Sequence, residues 1–201
     1  GPKTGKKAGR QTAGLLTAIS AELRPESMTE IVEVAQDLRG HVLPVLLNTG
    51  WSRALIINMY APPGMGPMRG NALQLLQASA QGHRRRKVLL GVEKLVAEHR
   101  AKHPGLVTLI GGDFNATAAP TDRLTEYQMD RDYREWMQGM NVAPIGPLEN
   151  REHTFRPQQA RHRGTHAQAG RIDDWLIGKE ATSKGTENMR GPCRVCMEHG
   201  S

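Results

Sequence analysis

The apolar run Leu106-Val107-Thr108-Leu109-Ile110 leads without a break into Gly111-Gly112-Asp113-Phe114-Asn115. Such a short, continuous apolar stretch bounded by glycines reads as a buried strand. A buried strand needs layers on its faces, which points to a layered α/β fold rather than a helical bundle. The run also carries an acid and an amide to the exposed end of a rigid element. Residues two apart on a strand share a face, so Asp113 and Asn115 are expected to project together. A carboxylate there can orient or deprotonate water, and an amide can donate to a phosphate or ligate a hard cation. The plainer alternative is an Asx-turn that closes the strand.

The neighbouring segments fit the same class. Residues 14–20 read as a short strand. The apolar runs 41–48 and 54–60 flank the glycine-containing turn Asn48-Thr49-Gly50, which reads as a hairpin. Pro44 lacks an N–H, which places the first of these strands at a sheet edge or a bulge. Ala72, Leu75, Leu76 and Ser79 share one helical face. Val88, Leu89, Val92, Leu95 and Val96 share another, in a second helix that stops before Pro104-Gly105. A weaker helix covers 133–140, and residues 171–177 form a late strand. The order of strands, helices, strand, helix and strand predicts layers with mostly antiparallel pairing. There is no internal repeat.

Charge narrows the class of partner. The 201 residues carry a formal net charge of +7. Four basic residues crowd positions 1–10, an expected flexible basic arm (1–11). Residues 84–102 hold Arg84, Arg85, Arg86, Lys87, Lys94, Arg100 and Lys102 against two glutamates. Residues 151–171 hold five arginines against Glu152, and 112–135 hold six acids and three bases. A basic body around an acidic segment suits a polyanion such as DNA held beside a cation site. Arg84-Arg85-Arg86-Lys87 reads either as a nuclear localisation signal or as the solvated first turn of a helix. With two cysteines a disulfide scaffold is excluded. No run reaches the ~18 apolar residues of a membrane span, so an intracellular protein without a membrane partner is expected.

Two further segments carry chemistry. Asn58-Met59-Tyr60-Ala61-Pro62 ends a strand in a tyrosine whose hydroxyl can reach a phosphate. Gly170-Arg171-Ile172-Asp173-Asp174-Trp175 places acids in an apolar strand, where a carboxylate needs a partner such as a histidine that it orients. Its simpler partner is Arg171 or solvent.

In their order and spacing, "NMYAPPG", "LVTLIGGDFNAT", "HTF" and "GRIDDWLIG" resemble the endonuclease/exonuclease/phosphatase superfamily. The stretch Gly112 to Arg123, with its Thr, Pro and Asp-Arg pair, is most similar to the endonuclease domain of LINE-type (non-LTR) retrotransposons. The resemblance covers about residues 12–201. It implies a four-layer α/β sandwich of two mainly antiparallel sheets flanked by helices, with Mg²⁺- or Mn²⁺-dependent hydrolysis of DNA phosphodiesters. Asp113 would align or activate the attacking water, and Asn115 would hold the phosphate or the metal, together with Asp113. Tyr60 would hydrogen-bond the phosphate, and Asp173 would orient a catalytic histidine. The retrotransposon type implies a nuclear location. The same superfamily also contains abasic-site, phospholipid and inositol phosphate hydrolases, and a non-catalytic nucleic-acid-binding relative is a third alternative.

The resemblance has gaps. Its first strands, with an Asn and a metal-ligating Glu, have no counterpart; Glu22, Glu26 and Glu30 are the nearby glutamates. The terminal Ser-Asp-His segment stops at Ser201. Residues 12–201 are therefore expected to be an incomplete domain, with weak or no nicking on its own. Cys193-x-x-Cys196 with His199 has zinc-like spacing but lacks a second pair of ligands. Gly1 to Lys6 lacks the Ser/Thr and the preceding strand of a phosphate-binding loop.

Overall fold

A computed structural model describes residues 15–19, 28–48, 52–63, 72–120, 127–145 and 173–179. Its elements are β1 (Met28–Ile31), a 3₁₀ turn (Gln36–Leu38), β2 (Val42–Asn48), β3 (Arg53–Tyr60), α1 (Ala72–Lys102), β4 (Val107–Asp113), α2 (Gln128–Gly139), β5 (Val142–Pro144) and β6 (Asp173–Gly178). The six strands form one sheet in the order β1-β2-β3-β4-β6-β5. The architecture is α/β, a mixed sheet with helices packed on it. The expected second sheet is not found among the described residues.

The β2–β3 hairpin pairs antiparallel from Val42↔Met59 to Asn48↔Arg53, as the turn residues predict. β3 and β4 pair parallel instead. A parallel pair needs a long crossover, and α1 supplies it. The other pairings, β1–β2, β4–β6 and β5–β6, are antiparallel. Strict alternation then sorts the side chains. Leu55, Ile57 and Met59 of β3, Ile110 of β4 and Leu176 of β6 face a single core with Val88, Val92 and Val96 of α1 and Tyr133, Trp136 and Met137 of α2. The Trp136 indole N–H donates to the Leu89 carbonyl at 3.0 Å and ties the two helices together.

Four expectations change. Residues 15–19 are not a strand: Leu16 is 83% exposed, and its carbonyl accepts from the Asn58 side-chain amide at 2.7 Å rather than from a strand ladder. Pro44 lies in the second strand of the sheet, not at its edge. Its carbonyl accepts from Val32 N–H, so its ring nitrogen faces the end of the short edge strand β1 and costs β3 no hydrogen bond. The two predicted helices are one helix, α1, so 84–87 lie in its middle rather than in a first turn. The helix does end before Pro104, as predicted. The predicted helix at 133–140 starts earlier, at Gln128.

Strand β4 runs on through both glycines to Asp113, and each has its own reason. A Cβ on Gly111 would lie 2.5 Å from the Trp175 ring, which covers that residue. Gly112 adopts φ +136°, and a Cβ there would lie 1.9 Å from the Met59 carbonyl oxygen on β3. Strain and a backbone clash coincide at this position, so Gly112→Ala is expected to lower stability by at least about 2 kcal/mol. A urea denaturation midpoint measures it; an unchanged midpoint contradicts the close approach of β3 and β4.

Candidate active site

Parallel pairing puts the C-terminal ends of β3 and β4 at the same end of the sheet, and antiparallel β6 starts there. The register is Tyr60↔Asp113 between β3 and β4, and Asp113↔Asp173 between β4 and β6. Residues paired across strands share a face. Tyr60, Asp113 and Asp173 therefore form a row of adjacent, half-buried side chains, although the outer two are 113 residues apart in sequence. The expected convergence at one end of the sheet is met for these three. Of the two consecutive acids on β6, alternation sends Asp173 to this face. Asp174 goes to the opposite face, where it is buried and accepts the Trp175 N–H at 2.9 Å.

Asn115 joins them differently from the prediction. β4 stops at Asp113, and Asn115 has φ +48°, a left-handed conformation that Asn tolerates better than most residues. It does not project beside Asp113 by strand alternation. Its backbone N–H donates to Asp113 Oδ1 at 2.8 Å, and its side-chain amide donates to the Ala61 carbonyl at 2.9 Å. This is the Asx-turn weighed above, and it serves the site. It holds the Asp113 carboxylate in place and leaves the Asn115 amide oxygen available.

Between them, Phe114 is 0% exposed. Its ring lies 4.8 Å from that of Tyr133 and 6.4 Å from that of Trp136. The middle residue of Asp-Phe-Asn thus anchors in the core while its neighbours stay at the surface. The following loop is tied down by Asp130 of α2. Its carboxylate accepts the backbone N–H groups of Thr117 and Tyr127, both at 2.8 Å.

Burial raises the Asp113 pKa, and the Asp173 charge raises it further; the Asn115 N–H and Arg85 act in the opposite direction. Two carboxylates held side by side favour a cation between them. Asp113, Asp173 and the Asn115 amide oxygen are hard oxygen donors. They fit an ion such as Mg²⁺, which takes one or two carboxylates and retains several waters. Among the described residues there is no cluster of three or more His, Cys, Asp or Glu arranged to hold a metal by itself. Glu30, on the edge strand β1, pairs with Leu46 of β2 and lies away from the row.

Two neighbours of the row escaped the sequence reading. His41, just before β2, stacks on Tyr60 with ring centroids 5.9 Å apart. Its Nδ1 lies 3.2 Å from the Tyr60 carbonyl oxygen. A carbonyl only accepts, so Nδ1 is the donor in this contact. The only sequence signal was a histidine at the head of an apolar strand. Arg85 was read as part of a solvated basic run, yet it is 3% exposed.

The basic stretches at 1–10 and 151–171 and the Cys193/Cys196 pair lie outside the described residues. On α1, Arg84, Arg86 and Lys87 are exposed, whereas Arg100 donates to the Met140 carbonyl at 3.1 Å. Among the described residues no helix is long and apolar enough to cross a membrane.

No protein-family model and no curated protein matches the sequence. Solved structures do match. The endonuclease domain of TRAS1, a telomere-specific non-LTR retrotransposon, aligns with a TM-score of 0.50 at 10% identity, over 77% of this chain and 58% of that one. The 3′-5′ exonuclease NExo from Neisseria meningitidis aligns at 0.53 and 14% identity, over 78% and 59%. The 3′ phosphatase NExo from Neisseria, bound to product DNA hairpin, aligns at 0.52 and 12% identity, over 78% and 60%. The chain spans about three fifths of the length of these structures. It shares the fold of these structures, in keeping with the fold expected from the sequence motifs.

Proposed function

We propose that this chain belongs to a divalent-metal-dependent DNA phosphodiesterase, an endonuclease of the non-LTR retrotransposon type. The observation that carries the reading is the row Tyr60–Asp113–Asp173, set side by side by strand register with Asn115 bracing its centre. The fold likeness to the TRAS1 endonuclease domain and to a DNA-bound phosphatase supports the substrate class. The Thr-Ala-Ala-Pro-Thr-Asp-Arg sequence after Asn115 supports the retrotransposon type and, with it, a nuclear site of action.

The row divides the work. Asp113 is held by the Asn115 N–H and is poised to align an attacking water and take its proton. Tyr60 offers its hydroxyl to a phosphate oxygen, and its ring is kept in place by the His41 stack. Asn115 Oδ1 and the Asp113 carboxylate would hold Mg²⁺ or Mn²⁺, which would neutralise charge that builds on the phosphate. Asp173 is the carboxylate assigned to orient a histidine.

Exposed Arg84, Arg86 and Lys87 provide a track for the DNA backbone at this end of the molecule, because Arg85 between them reaches the loops that follow β3 and β4. Binding to duplex DNA is therefore expected to weaken with salt. The slope of log K against log[salt] should be roughly −0.9 per phosphate neutralised, or about −2.7 for three contacts. Fluorescence-anisotropy titrations at several salt concentrations measure it, and a flat response removes DNA as the partner. Nicking of supercoiled plasmid with Mg²⁺ or Mn²⁺, compared between the protein that carries this chain and its Asp113→Ala variant, tests the chemistry.

A further inference from the structure

We infer that Arg85 is a positioning residue that clamps together the two loops carrying the candidate site; this rests on assigning Tyr60, Asp113 and Asn115 to that site. A single nitrogen, Nη1, donates to the Phe114 carbonyl at 2.5 Å and to the Pro62 carbonyl at 3.2 Å. Phe114 is the residue between Asp113 and Asn115, and Pro62 lies two residues after Tyr60. One side chain from the middle of α1 therefore joins the end of β3 to the end of β4, just beyond their last paired residues, Tyr60↔Asp113.

The cost of keeping this group argues for a purpose beyond packing. The guanidinium is buried, and burial lowers its pKa, opposed by Tyr133, Asp132, Asp130 and Asp113. Its Nε and Nη2 are buried without a hydrogen-bond partner among the described residues. A buried charge with unmade hydrogen bonds is destabilising, and an apolar side chain of similar volume is often the more stable choice. What an apolar side chain cannot do is bridge two carbonyls that belong to different loops. The planar guanidinium does this with the two N–H bonds of one nitrogen, whose directions the delocalised plane fixes. The same two loops are joined by only two other described hydrogen bonds. Ala61 N–H donates to the Asp113 carbonyl at 2.8 Å, and the Asn115 amide donates to the Ala61 carbonyl at 2.9 Å. Arg85 backs both from the core side.

Amide hydrogen exchange on the 201-residue chain tests the clamp without requiring catalysis. Its outcome is thus independent of whether the chain cuts DNA. In Arg85→Met, protection at Ala61 and Asn115 is expected to fall about tenfold, the size of one lost hydrogen bond, while Ile57 and Ile110 in the strand interiors keep theirs. Arg85→Lys keeps the charge and can reach one carbonyl, so it should restore part of the loss. Should the methionine variant fail to fold, the lysine variant is read at the same four amides. Loss confined to Ala61 and Asn115 supports the clamp. An equal fall at all four amides would show a merely structural arginine, and unchanged protection at Ala61 and Asn115 would show no clamp; either overturns the inference.

Discussion

In the protein that carries this chain, Asp113→Ala is expected to lower metal-dependent nicking of supercoiled plasmid by on the order of 10³-fold, the usual contribution of a positioned general base. The structure gives this carboxylate a central place. It stands in the middle of the row, paired in register with Tyr60 on one side and Asp173 on the other. One of its oxygens is already committed to the Asn115 N–H at 2.8 Å, which leaves the other for water or a cation. Alanine removes the proton acceptor and a ligand of the proposed ion together, and losses within a unit that acts together do not divide among its members. The side chain is half-buried and pairs with no described base at salt-bridge distance, so the fold should survive; circular dichroism confirms that. A variant that nicks as fast as the parent chain assigns the chemistry elsewhere.

Phe114→Ala should cost about 3–5 kcal/mol of stability, the range for a large aromatic removed from a packed core. Phe114 is fully buried and completes an aromatic cluster with Tyr133 and Trp136, whose own rings are 5.9 Å apart. Aromatic pairs at these separations add stability beyond their buried area. The same substitution removes the ring anchor of the loop and leaves only the backbone hold of Arg85 on the residue 114 carbonyl. Chemical denaturation followed by tryptophan fluorescence measures the loss, and a change below about 1 kcal/mol would show that the ring does not anchor the loop. A peptide segment thus serves stability and chemistry at once, with alternate residues assigned to each.

Local pattern made much of this legible. The apolar run at 106–110, the hairpin around Asn48-Thr49-Gly50 and the helical periodicity of 88–96 each follow from which faces must be buried, and neighbouring residues carry that information. The candidate residues Tyr60, Asp113 and Asp173 stood out because each ends or interrupts an apolar strand. The two-helix reading failed because periodicity over short windows does not tell whether a stretch between two faces continues the helix. The strand at 14–20 failed because a short apolar run satisfies more than one backbone conformation. Short β1 and β5, of four and three residues, carried too little pattern to be read at all.

By itself the sequence determined the strands β2, β3, β4 and β6, the helical character of 88–96 and which polar residues sit at the strand ends, since burial acts on each segment through its own periodicity. Which strands become neighbours was decided only in three dimensions. The parallel β3–β4 pairing and the antiparallel return of β6 bring residues 60, 113 and 173 into one row, and strand register is a property of pairs rather than of single chains. Asn115 left the strand face because its amide found the Ala61 carbonyl, 54 positions away. Arg85, one of four consecutive basic residues, was drawn inward because the carbonyls of Pro62 and Phe114 need a donor at that turn of α1. Its neighbours Arg84, Arg86 and Lys87 project from other sides of the helix and stay in water. A charge run read along the chain has no inside or outside; the position of each residue around the helix, against a sheet built from distant segments, supplies it.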